Sequence, residues 1–146
     1  MHTPIENAAI PSLWRRLAAI FYDCWLVAAI WLLGATVDTF ARTGLDSAAE
    51  GSHLLLQLYL LVSPALFFGW FWTHGGQTLG MRAWRLKLLD NHGDPVGWRQ
   101  ALIRYAAAWL SLAVLGLGYL WVWIDRDGRA WHDRLSHTRL VMLQKN

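Results

Sequence analysis

The chain has 146 residues, 55% of them hydrophobic and only 16% charged, with 11 tryptophans, one cysteine and a formal net charge of +3. So few charges in one domain's worth of chain exclude an ordinary soluble domain, and the single cysteine, Cys24, excludes an intramolecular disulfide. No clustered basic–aromatic face points to nucleic acid.

Three apolar runs dominate the chain. An N-terminal arm ending in Arg15 and Arg16 leads into the first, residues 17–37, broken only by Asp23. The second, 54–72, and the third, 105–124, carry no charge. A helix needs roughly 20 apolar residues to cross a hydrocarbon core of ~30 Å, and all three runs are long enough. Trp14, Trp70, Trp72, Trp98, Trp121, Trp123 and Trp131 cluster near their ends, as interfacial anchors do. The first run is too long and too far from the start for a signal-peptide core, so it is expected to remain in the protein. Ser63-Pro64 predicts a kink in the second span.

Basic residues orient the spans. Arg15 and Arg16 lie in the arm; Arg82, Arg85, Lys87 and Arg99 lie in the loop 73–100; Arg126, Arg129, Arg134, Arg139 and Lys145 lie in the tail. The loop 38–53 holds only Arg42 among Asp38, Asp46 and Glu50. The positive-inside rule puts arm and central loop in the cytoplasm and the acidic loop outside. A third full span would carry the basic tail across, so a helical hairpin or re-entrant segment over about 99–124 is favoured, turning at Gly116-Leu117-Gly118. A plain third span is the alternative.

Between the spans, Gly75 to Gly80 reads as a tight exit turn; it lacks the Lys-Ser/Thr pair of a phosphate loop. Residues 81–90 alternate in part and predict a strand, 91–95 a turn, and Trp98 onward a helix. Residues 138–143 predict a second strand able to pair with the first. The expected fold is an all-α membrane protein of one domain, 1–146: two transmembrane helices, a third hydrophobic segment, and a small cytoplasmic β-hairpin-like element.

An ionisable group within a span is costly and by default a candidate for function. Asp23 lies seven residues, about 10 Å of helix, beyond Arg16, on its face but out of its reach. Its partner is expected on another helix, with Arg104 the positive candidate. Two readings stay open: an ion pair that fixes helix packing, or a carboxylate that exchanges a proton for a cation. Arg16 reads as an anchor of the cytoplasmic end or as a partner of Asp133. Asp133, in a dense polar tail, reads as a clamp on that end or as part of an ion entry. His132, Asp133 and His137 match no zinc spacing, and neither metal nor cofactor is expected. With no nucleophile–base pair in evidence, an enzyme is not expected.

Arg16 with Asp23, then GGQTLGMRAWRLKLLDNHGDPVGWRQALIR, then RAWHDRLSHTRLVM, together resemble the RDD family of bacterial membrane proteins across nearly the whole chain. The family is named for one arginine and two aspartates, here Arg16, Asp23 and Asp133. The resemblance implies few transmembrane segments and a role in transport, with sodium–proton exchange proposed for some members. The expectation is a small inner-membrane transporter or cation/proton exchanger, acting as a homo-oligomer because so few helices enclose little space. It would use Asp23, with Arg104 and an Arg16–Asp133 pair in support, and its partners would be the lipid bilayer, a monovalent cation and a proton. The alternative is a non-transporting accessory or assembly subunit in which these charges are structural.

Overall fold

The computed structural model describes residues 9–44 and 51–143. Helix α1, Leu13–Gly44, is followed by α2, Gly51–Thr73. A short α3, Leu79–Ala83, leads into strand β1, Leu86–Asp90. Then come α4, Trp98–Ala113, α5, Leu117–Leu120, a single 3-10 turn at Trp121–Trp123, α6, Trp131–Leu135, and strand β2, Thr138–Met142. Two helices, α1 and α2, are long and apolar enough to cross a membrane, or three if α4 and the segment after it count as one bent span.

α1 runs further than its apolar stretch. At its far end Asp38 and Arg42, one turn apart, form an ion pair at 2.7 Å, so the helix carries both charges past the greasy core. The acidic loop expected over 38–53 is therefore helical up to Gly44, and residues 45–50 lie outside the described part. Thr36 and Thr39 return their hydroxyl protons to carbonyls one turn back, which hides them in an apolar setting. Trp25, Leu32, Leu55 and Leu61 are all exposed, as side chains facing lipid would be.

α2 packs on α1 through a glycine. A Cβ on Gly34 would stand 2.1 Å from the Tyr59 ring, so only hydrogen lets the helices approach there. The same seam is tied by the Tyr59 hydroxyl donating to the Ile30 carbonyl at 2.7 Å and the Trp31 indole donating to the Leu60 carbonyl at 3.0 Å. Gly69 plays the matching role against Trp98 of α4. Pro64 sits inside an unbroken α2.

The third hydrophobic segment breaks where its glycines predict. α4 ends at Ala113, Leu115 and Gly116 take left-handed backbone (φ 59° and 76°), and the helical chain resumes bent by 107°. Gly118 permits the return, since a Cβ there would lie 2.1 Å from the Ser111 hydroxyl.

The strands pair antiparallel, Leu86 opposite Met142 through Asp90 opposite Thr138. This is the expected pairing of the central-loop strand with the tail strand, and because α4, α5 and α6 intervene the two form a small sheet rather than a hairpin. The strand expected over 81–90 is also shorter. Its first part is α3, because the Thr78 hydroxyl caps it by accepting the Met81 N–H at 3.1 Å. The N-terminal arm joins the same layer, its Ala9 carbonyl accepting the Met142 N–H at 3.1 Å. Leu86, Leu88, Met81, Val96, Trp72, Ala19 and Ala101 form the core beneath it. Arm, central loop and tail thus fold into one polar end on the helices.

Candidate functional site

The polar end is organised around Asp133, whose side chain has no solvent exposure. One carboxylate oxygen accepts from Arg16 at 2.8 Å and from the Ala130 N–H at 2.9 Å. The other accepts from Arg104, which also donates to the Thr138 hydroxyl at 3.0 Å. Arg16 spends its remaining donors on the carbonyls of Gly128, at 2.7 Å, and Pro11, at 3.4 Å. Both guanidiniums are buried. Arg104 also lies 5.3 Å over the Trp72 ring, so Trp72 is a buried cation–π partner rather than an interfacial anchor.

Asp23 stands apart from these arginines, which corrects the expected Asp23–Arg104 pair. Its carboxylate accepts the Thr78 hydroxyl at 2.5 Å and the Gly80 N–H at 2.9 Å. Arg104 goes to Asp133 because α4 packs on α6, whereas α1 faces α3 at the level of Asp23. The seven-residue step from Arg16 proves to matter differently: it lets one helix present a cation to the tail and an anion to the central loop. The structure thus joins Arg16, Arg104 and Asp133 in one cluster and leaves Asp23 on a second. Thr78 and Gly80 escape the sequence reading, although both lie in the Gly75–Gly80 turn. Thr78 holds α3 and Asp23 at once, and a Cβ on Gly80 would lie 2.2 Å from the Ala19 carbonyl oxygen.

Two guanidiniums around one carboxylate leave a local excess of positive charge, and His132 is packed beside it. Its Nε2 lies 3.7 Å from Asp133 Oδ1 and its ring leans on Tyr119, with centroids 4.7 Å apart. Burial, reinforced by Arg104 and Arg16 against the opposing pull of Asp133, lowers its pKa from 6.5 to about 3. Burial alone would raise the Asp133 carboxyl, but Arg104, His132 and Arg16 hold it below the usual carboxylate range. His132 is therefore neutral near pH 7. Between 6.5 and 3 the unfolded chain binds a proton that the folded one refuses, so stability falls as pH drops through that window. The loss should reach about 2 kcal/mol by pH 5, read as a fall in melting temperature in detergent micelles, and His132→Asn should flatten it. Asp133 titrates lower still and does not contribute above pH 5. An unchanged slope in the variant would remove His132 as the cause.

Arg16, Asp23, Arg104 and His132 line one cavity of about 300 Å³ between α1, α2 and α4, otherwise walled mainly by apolar side chains. Among the described residues, no group of three or more His, Cys, Asp or Glu side chains is placed to hold a metal ion.

The RDD family model matches residues 10–137, a span that begins in the arm, contains both clusters and ends just before β2. The chain belongs to the RDD family. No curated protein and no solved structure matches it. In this RDD protein Arg16, Asp23 and Asp133, the three residues that the resemblance singles out, are not a triad. Arg16 and Asp133 bond directly, whereas Asp23 is held by the central loop.

Proposed function

We propose that this RDD protein is a small transporter of the cytoplasmic membrane that exchanges a monovalent cation for a proton at Asp23. The observation that carries the reading is the way Asp23 is held. It lies within an apolar helix, 2% exposed, on the wall of a cavity, and its two bonds come from neutral donors rather than from an arginine. A carboxylate without an internal counter-ion can take either a proton or a cation. One paired with Arg104 would already be neutralised. The arm and tail are cytoplasmic, in keeping with their basic residues and with the bend that returns the third segment. A single chain has too few helices to enclose a path, so the working unit is a homo-oligomer.

Asp23→Asn is a fair test because the Thr78 hydroxyl can turn from donor to acceptor and keep the bond. The variant should fold, yet in proteoliposomes its proton-coupled sodium or potassium flux should drop to the protein-free background. Equal flux from wild type and variant, or none from either, would sink the proposal. A reporter fused after Asn146 should give a cytoplasmic signal.

A second reading, an accessory or assembly subunit, has its own support: every bond of the Arg16–Asp133–Arg104 cluster closes within the chain, as a structural clamp does. It predicts co-purification with a larger membrane complex. Asp23→Asn would then lower abundance without changing flux per molecule.

A further inference from the structure

Arg104 is only half used. Its Nη1 serves both Asp133 and Thr138, but among the described residues nothing accepts from its Nε or Nη2. Those two nitrogens form one edge of the guanidinium, and the parallel N–H groups of an edge match the two oxygens of a carboxylate. The side chain is 6% exposed and lines the cavity, and neither nitrogen is sealed from water. Trp72, at 5.3 Å, covers a face of the group rather than that edge. Guanidinium donors left unbonded among apolar walls are costly and invite an acceptor.

Charge points the same way. Arg16 and Arg104 share the single carboxylate of Asp133, which leaves one positive charge over in the cluster. Arg16 places its other two nitrogens on the Gly128 and Pro11 carbonyls, so the unspent donors are those of Arg104. Asp23, the other acid on the wall, bonds to Thr78 and Gly80 instead.

Shape selects the rest of the ligand. Along α1 the wall runs from Arg16 through Asp23 to Val27 and Trp31, about 22 Å of helix. About 300 Å³ spread over that length is a slot rather than a sphere, with room for one extended chain and not for two. Away from the polar end its wall is Val27, Trp31, Trp109 and Leu112.

We propose that the slot binds a single-chain carboxylate, whose two oxygens accept from Nε and Nη2 of Arg104 while its hydrocarbon lies along α1. The inference stands apart from ion exchange at Asp23, since binding is read with no gradient present.

Brominated chains test it, because bromine quenches tryptophan and Trp31, Trp72 and Trp109 line the slot. The intact protein in nonionic micelles at about pH 9, where a carboxyl is ionised, would be titrated with ω-bromododecanoate, ω-bromododecanol and bromododecane. The carboxylate should quench saturably, be displaced by plain dodecanoate, and bind about tenfold or more tighter than the other two, the worth of a charge-assisted pair of hydrogen bonds. Acetate, the same head without the chain, should compete at least about a hundredfold more weakly than dodecanoate. Phosphatidylglycerol, an anion on two chains, should not displace it. Arg104→Lys keeps a cation for Asp133 but has no such edge, and it should remove most of the preference for the carboxylate. Ala108→Phe, one turn along α4 from Arg104, should fill the slot and abolish the saturable component without touching the cluster. Asp23→Asn takes away the other negative charge on the wall and should tighten the carboxylate severalfold. In the parent protein alone, a carboxylate bound no tighter than the alcohol would overturn the proposal, as would acetate equal to dodecanoate or displacement by phosphatidylglycerol. So would an undiminished preference in Arg104→Lys, saturable quenching in Ala108→Phe, or a carboxylate bound no tighter by Asp23→Asn.

Discussion

Asp133→Asn should be the most damaging single substitution, costing about 3–5 kcal/mol of stability. The carboxylate is fully buried and, among the described residues, is the only acid in contact with the two buried guanidiniums, so its loss leaves two cations out of water without that counter-charge. An asparagine oxygen can accept from one arginine, but its amide must then confront the other. Asp133 also binds the Ala130 N–H at the start of α6, so the tail loses its hold on the bundle at the same point. Melting in micelles should fall accordingly, and limited proteolysis should cut between α5 and β2, where the parent resists. The charge-restoring pair Asp133→Asn with Arg16→Gln should recover part of the loss, giving a coupling energy of about 1–3 kcal/mol. A single variant that melts within a degree or two of the parent would mean that the cluster is hydrated and holds nothing.

The features legible in the sequence are those that lipid dictates. A span must be apolar and long, so the first two runs are visible from composition, and a helix that turns back needs glycine, so Gly116 marks the bend. α1 outruns its expected end because charges do not stop a helix when Asp38 and Arg42 can pair on its surface. The 81–90 segment misleads because α3 is a five-residue helix, too short to show a helical period, while Trp84, Leu86 and Leu88 alternate across its junction with β1. Partnerships across the fold are harder still. Arg104 looks like the answer to Asp23 because only charge attracts notice in a sequence, whereas a threonine hydroxyl and a backbone N–H answer it instead. His132 stays hidden for a related reason: its neutrality comes from burial in the folded cluster, reinforced by two arginines that reach it from α1 and α4.

Gly80→Ala carries the other large effect, because it tests the α1–α3 contact from which Asp23 takes its bonds. The added carbon would stand 2.2 Å from the Ala19 carbonyl oxygen and 2.9 Å from the Asp23 carboxylate. Neither can swing aside cheaply. Ala19 O is helix backbone, and Asp23 is fixed by the groups that α3 brings to it. α3 must therefore retreat, and as it does the Gly80 N–H and the Thr78 hydroxyl leave the carboxylate together. Overpacking of this kind costs about 1–3 kcal/mol, and a buried carboxylate deprived of a donor adds about as much again. Alanine's better helix propensity offsets at most about 1 kcal/mol, so a net loss near 3 kcal/mol is expected. Gly97→Ser is the control: its Cβ has 4.0 Å of room at a helix cap that serine suits, and it should shift stability by less than about 0.5 kcal/mol. Asp23→Asn should cost far less than Gly80→Ala, since it keeps the contact and changes only the charge. The reverse order would show that Asp23's charge, rather than its fit against α3, holds the helices together.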